Sequence, residues 1–568
     1  MKYFIFFLLI SLFSLFLPPR VFAINDPLSV PNNRFGIHLV DPADLWDAAS
    51  LVNSRGGDWG YVTLVIAQND RDTLKWQNIF NTLRRLHLIP IIRLATTLEG
   101  DHWKIPDEND INSWADFLSN LNWVIRNRYV VIFNEPNQSK EWGGSIDPAS
   151  YAKILKLFSD KLKLKSPDFF ILPAGLDSSA PNSSDTMDEA LFLQKMKDAS
   201  PDVFDGIDGW VSHSYPNPGF SGQPYSFGRG TVRSYIWELN LLSELGIHKN
   251  FPIFITETGW PHREGINYNP GFVSEQIVSA YFKTAFTSVW TDNNIVAITP
   301  FVLSYQSYPF DNFSWKMPDG LTYYNQYSAV QNLAKTKGSP LQIINISFVG
   351  NPIPDTLITD SDYIFKASIN NSGQTIFDKN DGFSLQAESD SPITIDNFIP
   401  IEPGSTKEIS FSFHTPPTKG TYKINLLLKH NNNILASYTN PHLFLIEPPA
   451  LTFHVQTGFN DKPSAKDFSF IIYDQNETPV QIFKRLSVTQ GKGEVVKLKN
   501  IVVGKPYRAV ILKPYFLPRQ EKLIFTQGVN FISFKPMLPL DLDLDGRFTF
   551  SDYWIMIFHP LFILKLLF

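Results

Sequence analysis

The sequence predicts an α/β chain, a (β/α)8 barrel followed by two all-β, sandwich-like domains. Two observations carry that expectation. Between residues 34 and 337, short β-branched or aromatic runs alternate with stretches of helical spacing. After about Gly338 the helical spacing stops, and short alternating runs bounded by Asn, Gly, Pro and Ser take over. At 568 residues the chain is too long for one core and should form roughly three or four domains.

The barrel runs are 34–39, 61–66, 89–94, 129–135, 169–175, 206–215, 252–260 and 296–304. Between them apolar residues fall on one helical face, as in Leu74, Trp76, Ile79, Phe80, Leu83 and Leu86, or Tyr151, Ile154, Leu155, Phe158 and Leu162. Strands separated by helices must pair in parallel, and eight such units over this length match a (β/α)8 barrel. An open doubly wound sheet would often place a glycine-rich phosphate turn after its first strand, and Gly36-Ile37-His38 provides none. The barrel is expected over 24–338.

The next segment, 339–449, has strand-like runs at 363–369, 408–414 and 421–429, with turn signals at β-sandwich spacing. Pro448-Pro449 reads as a stiff linker. A second sandwich-like segment, 450–536, follows with runs at 468–473, 508–512 and 530–534. Neither carries a catalytic constellation, so both read as accessory modules. The closing segment, 537–568, holds an acidic loop and an apolar tail.

Residues 1–23 read as a secretory signal peptide. Lys2 supplies the positive end, Tyr3 to Leu17 the apolar core, and Val21-Phe22-Ala23 the cleavage site, after helix-breaking Pro18 and Pro19. A secreted or cell-surface protein is therefore expected. The chain has no cysteine, so disulfides and thiolate metal sites are excluded. A net charge of −6 offers no basic excess for nucleic acid. Aromatic residues make up 14%, enough to floor sugar subsites as well as fill cores.

Active sites of (β/α)8 barrels lie at the C-terminal ends of the strands, so a carboxylate there is suspect. The fourth run passes from apolar Tyr129-Val130-Val131-Ile132-Phe133 directly into Asn134-Glu135-Pro136-Asn137. The seventh passes from Pro252-Ile253-Phe254-Ile255 into Thr256-Glu257-Thr258-Gly259-Trp260-Pro261. Cleaving a glycosidic bond needs such a pair, one group to protonate the departing oxygen and one anion for the oxocarbenium-like carbon. Repulsion between two close carboxylates keeps one of them protonated near neutral pH.

Asn134-Glu135-Pro136 with Glu257 on the seventh strand resembles clan A of the glycoside hydrolases, over the whole barrel. The string around Glu257 is similar to the nucleophile motif of the β-1,3-glucanase-like and galactanase-like families (17 and 53), and His213-Ser214-Tyr215 is similar to the His-x-Tyr of family 5 cellulase-like enzymes. The resemblance implies a retaining glycosidase acting on a β-linked poly- or oligosaccharide, with Glu135 as acid/base and Glu257 as nucleophile. It also implies that Asn134 meets the 2-hydroxyl, that Tyr215 orients the nucleophile with His213 beside it, and that Arg93 keeps Glu257 ionised. His38 is a candidate for a sugar hydroxyl, and Trp142, Trp260 and Trp315 for subsite floors. A transglycosylase shares this intermediate, and a barrel used only to bind carbohydrate is the non-catalytic alternative. No cofactor is expected for catalysis, and no cluster in the barrel has metal-ligand spacing.

Counting Asp541 as position 1, Asp543, Asp545, Thr549 and Asp552 fall at 3, 5, 9 and 12, with Gly546 at 6 and the Arg547 carbonyl at 7. These are calcium-loop positions, so a structural Ca2+ is expected. Asp at position 12 resembles dockerin repeats, but a dockerin needs two loops and one is present, which argues against a cohesin partner. The apolar tail of 16 residues from Tyr553 is shorter than the roughly 20 needed to cross a bilayer, and it reads either as packing on a neighbouring module or as a weak membrane, cell-surface association.

Overall fold

The computed structural model describes residues 24–567 except 391 and 396–398, so the expected leader at 1–23 lies outside the described residues. The chain divides into two compact units, Met1–Ile343 and Ile344–Phe568.

The first unit is built from alternating strands and helices. Its strands are β1 (Gly36–Leu39), β2 (Gly60–Ala67), β3 (Leu88–Ala95), β4 (Arg128–Ile132), β5 (Phe169–Pro173), β6 (Trp210–His213), β7 (Ile253–Glu257) and β8 (Ile295–Ile298). Each overlaps one expected run. They form a five-stranded parallel sheet, β1-β2-β3-β4-β5, and a three-stranded parallel sheet, β8-β7-β6. Parallel bridges link the two sheets at Phe35–Ile298 and at Asp177–His213. The Ile298 amide donates to the Arg34 carbonyl at 2.9 Å, and the His38 amide to Pro300 at 3.0 Å.

These strands are buried on both faces, which is why they read as continuous apolar runs instead of alternating ones. Tyr129 of β4, Phe170 of β5 and Phe254 of β7 meet with ring centroids 5.0 to 5.7 Å apart, so one aromatic core is shared by the two sheets. Such aromatic pairs add about 0.5–1.5 kcal/mol each beyond their buried area.

Each strand is followed by a helix. The helices are α1 (Leu45–Val52), α2 (Thr73–Arg85), α3 (Glu108–Asn120), α4 (Pro148–Lys165), α5 (Glu189–Ala199), α6 (Ser234–Glu244), α7 (Glu275–Thr284) and α8 (Asn325–Gln331). Local chemistry fixes their starts. Asp107 and Asp110 form a capping box at α3, and Asp147 caps α4, whose first residue is Pro148. On α2 the apolar face closes with Trp76, Phe80 and Leu83 buried.

The second unit is all β until its last helices. Two four-stranded sheets make the first part. One is ordered Ile346–Val349, Asp362–Asn371, Ser405–His414, Ile393–Ile395, and the other Thr356–Ile358, Asn433–Ile446, Gly420–His430, Phe383–Ser389. The following part differs from the expected second sandwich. Its strands, from Ala450–His454 to Val529–Ser533, join in one seven-stranded sheet around a core that includes Phe453, Phe470, Ile511 and Phe534. Ile358 of the first part belongs to that same core, and Tyr363 Oη donates to the Ile501 carbonyl at 2.8 Å. Pro448-Pro449 therefore joins parts of one unit.

The acidic loop ends in a capping box, Thr549 with Asp552, that starts α9 (Phe550–Phe558), and α10 (Pro560–Leu567) follows. Among the described residues no helix is long and apolar enough to cross a membrane.

Candidate active site

Parallel strands in register bring their C-terminal ends to one rim, and the polar residues singled out in the sequence meet there. Glu257 is the last residue of β7, His213 the last of β6, His38 lies in β1 and Arg93 in β3. Asn134 and Glu135 follow β4 after one residue, and the stretch holds two unusual backbone conformations. Phe133 has φ 70° and Glu135 has φ 31°, both in the region that non-glycine residues avoid. Strain of this kind persists where the surroundings over-determine it, and it concentrates at functional sites. Here the Glu135 amide is tied to the Gly175 carbonyl at 3.1 Å.

The two carboxylates sit in one cluster. One oxygen of each and a ring nitrogen of His213 all lie within 4.8 Å of one another. The partners of the two differ. Arg93 Nη1 donates to Glu257 Oε1 at 2.5 Å and to Asn134 Oδ1 at 2.5 Å. Tyr215 Oη donates to Glu257 Oε2 at 3.1 Å, and His38 Nε2 stands 3.9 Å from Oε1. Glu135 Oε1 shares a 2.8 Å hydrogen bond with His213 Nδ1, and Gln138 Nε2 donates to its Oε2 at 2.7 Å.

These surroundings separate the two acidities. Burial alone would raise both carboxyls. At Glu257 the charges of His213 and Arg93 and the Tyr215 hydroxyl overcome burial and hold it down to about 2. At Glu135 burial prevails over the His213 contact, and the neighbouring carboxylates Glu257 and Asp177 add to it, so its carboxyl is raised. One acid is held ionised and its neighbour is inclined to keep a proton, the division that acid-and-nucleophile chemistry uses. His38 is buried with neither ring nitrogen hydrogen-bonded among the described residues, and burial, then Arg93, lowers it to about 3, so it is neutral.

The cluster lies in a cavity of about 670 Å3, within the usual range for a small-molecule site. Arg93, Asn134, Glu135, Gln138, Glu141, Asp177, His213, Tyr215 and Glu257 make its polar wall. Aromatic surface comes from Trp103, Phe220, Phe301, Phe310 and Phe313. These are not the tryptophans read from the sequence. Trp260 is buried with its indole N–H on the Gly222 carbonyl at 2.8 Å and its ring against Tyr281 and Phe282. Trp315 is buried against Phe282 with a centroid distance of 4.7 Å. Neither lines the cavity, so both are packing residues and not subsite floors. Trp142 does line it, but is buried between Phe133 and Tyr151.

Sequence reasoning missed Trp103, Gln138, Glu141 and Asp177, which stand on loops between a strand end and the next helix. A signal existed for Gln138 and Glu141 alone, because they stand three and six residues past Glu135.

Among the described residues two groups have donor sets of metal-ligand type. Glu135, His213 and Glu257 form one, which their wide sequence spacing concealed. The Arg93 guanidinium bonded directly to Glu257 already neutralises that carboxylate, and a cation in such contact disfavours a divalent ion there. Asp541, Asp543 and Asp552 form the other, with oxygens within 4.8 Å of one another, a spacing that fits ligands 2.3–2.6 Å from a Ca2+. Around them Gly546 N donates to Asp541 Oδ1 at 3.0 Å, Arg547 N to Asp545 Oδ1 at 2.7 Å, and Thr549 Oγ1 to Asp552 Oδ2 at 3.0 Å.

No family model matches this chain, and no curated protein does. Solved structures do. A GH39 β-xylosidase from Caulobacter crescentus matches at 11% identity over 68% of this chain and 97% of that one, with a TM-score of 0.37. A glucosidase from Croceicoccus marinus matches at 10% identity over 82% and 94%, TM-score 0.39. A family 51 α-L-arabinofuranosidase from Bifidobacterium longum matches at 8% identity over 68% and 97%, TM-score 0.36. These likenesses are loose, and the chemistry of the site has to be read from its own residues.

Proposed function

We propose that the chain is a retaining glycoside hydrolase acting on a β-linked oligo- or polysaccharide, and that its two parallel sheets are the halves of one (β/α)8 barrel. The observation that carries this reading is the pair of strand-end carboxylates with oxygens within 4.8 Å and opposite shifts in acidity. A retaining enzyme keeps its carboxyls about 5–5.5 Å apart so that one attacks directly, whereas an inverting enzyme leaves about 6.5–9.5 Å for a water.

In the first step Glu257, ionised, attacks the anomeric carbon while Glu135 passes its proton to the departing glycosidic oxygen. The C–O bond breaks and a glycosyl ester on Glu257 forms. In the second step Glu135, now a carboxylate, takes a proton from water. The water oxygen attacks the same carbon, and Glu257 departs as carboxylate. Two displacements return the original configuration. Arg93 and Tyr215 hold the two oxygens of Glu257 and fix which lone pairs face the sugar. His213 lies 2.8 Å from Glu135 and 3.9 Å from Glu257, where it buffers charge as the proton leaves and returns.

The test is chemical rescue. Glu257→Ala is expected to lose several orders of magnitude in turnover of an aryl β-glycoside, with azide restoring product of inverted configuration. Retention of full activity in that variant sinks the assignment. Supporting proposals are export through the 1–23 leader, checked by the mass of the mature chain, and a Ca2+ in the 541–552 loop.

A further inference from the structure

The cavity holds a third carboxylate that the two-glutamate chemistry leaves unused. Glu141 closes the short turn Ser139–Glu141 and lines the cavity beside Arg93, Asn134, Glu135 and Trp103. Among the described residues it forms no ion pair. Lys104 on the same wall reaches Asp110 at 3.5 Å, and Arg93 is committed to Glu257. Burial, then the charge of Glu135, pushes the Glu141 carboxyl up to about 7. A group in that state gains strongly from a hydrogen-bond donor.

Asn134 connects Glu141 to the nucleophile. Its side-chain oxygen accepts from Arg93, and its side chain is also the hydrogen-bonding partner of Glu141, a role left to the NH2 group. A hydroxyl can enter between these two groups, because one oxygen accepts from the amide and donates to the carboxylate. One guanidinium holds both Asn134 and Glu257, so a hydroxyl held by Asn134 lies close to the carbon that Glu257 attacks.

We propose that Glu141 is a substrate-positioning residue which, with Asn134, clamps the hydroxyl beside the attacked carbon, so that the cavity selects glycosides in which that hydroxyl is free. Sugars with hydrogen, a methyl ether or an acetamido group there leave a buried donor or acceptor unpaired or do not fit. A site built to bond a hydroxyl rejects an analogue lacking it far more strongly than an apolar site rejects a missing methylene. This rests on the glycosidase reading.

The probes are the 2,4-dinitrophenyl β-glucoside, β-galactoside and β-xyloside, each with its 2-deoxy-2-fluoro counterpart. Fluorine cannot donate a hydrogen bond, and its inductive effect is common to every variant. The ratio of kcat/KM for the hydroxyl probe to the trapping efficiency for the fluoro probe therefore isolates the contact. For wild type against Glu141→Gln and Glu141→Ala, this ratio is expected to fall at least about tenfold, on the scale of one charged hydrogen bond, with Glu141→Asp recovering part of it. Melting curves confirm that the variants fold, and the isosteric Gln keeps the test open if Ala does not. An unchanged ratio, with Glu257→Ala still losing both reactions, overturns this proposal and leaves the glycosidase reading intact. A wild-type chain that neither hydrolyses nor is trapped by any probe overturns that reading and this one with it.

Discussion

Removing the guanidinium from Arg93 tests whether Glu257 is held ionised by its neighbours. A carboxylate nucleophile works only when charged, so activity is present above its pKa and lost as pH falls through it. With Glu257 held at about 2, the acid limb of the wild-type profile lies at very low pH. Arg93 Nη1 is 2.5 Å from Glu257 Oε1, and the two side chains are 17% and 11% exposed. At an effective dielectric constant near 20, opposite charges about 4 Å apart interact by about 4 kcal/mol, an upper bound of about 3 pKa units at 1.36 kcal/mol each.

His213 and Tyr215 remain in Arg93→Met, and some solvent reaches the pair, so about 1–2 units is the expected rise. The acid limb of kcat/KM then moves up by the same 1–2 units, and Arg93→Lys, which keeps the charge, leaves it low. The basic limb should stay, because it reports loss of the proton that Glu135 must deliver as pH rises through its raised pKa. Rate profiles of an aryl β-glycoside across the acid range decide the matter. A uniform fall in rate with no movement of the acid limb would refute the electrostatic account and leave Arg93 as a residue that only positions Asn134.

Gly175→Ala would place a methyl group 2.2 Å from the His213 ring, so the ring must leave Glu135; kcat is expected to drop at least about a hundredfold while circular dichroism stays native. Trp315→Ala should cost about 3–5 kcal/mol in urea denaturation, as for other buried tryptophans, and leave KM within about twofold; a large KM change would restore it as a subsite floor. Titration calorimetry of the whole chain should give one Ca2+ site with Kd between about 10⁻⁷ and 10⁻³ M, lost in Asp543→Ala, whose side chain is exposed and can be removed without opening a core.

The parts of the site that could be read from sequence are those that hang directly on a strand end. A strand advances about 3.3 Å per residue and its neighbours fix its register, so the residue ending an apolar run has a nearly determined position on the rim. Glu257, His213, Arg93 and Asn134-Glu135 all meet that condition. Trp315 does not, because it lies 17 residues beyond Ile298, and the chain between is free to bring Phe301, Phe310 and Phe313 to the cavity instead.

A tryptophan after a strand has no charge that must reach solvent or a partner, and burying its large apolar surface against Phe282 is favourable by itself. The same logic separates Glu141 from Trp260, both of which stand a few residues past a motif. A carboxylate cannot vanish into the core without a partner, so its place on the cavity wall beside other carboxylates calls for an explanation, whereas a buried indole bonded to the Gly222 carbonyl is already explained. Strand-end carboxylates are legible in the sequence. Other residues of the cavity wall sit on loops whose course depends on packing, and Glu141 is visible as one of them only when Asn134, Arg93 and Glu257 are seen sharing one chain of hydrogen bonds with it.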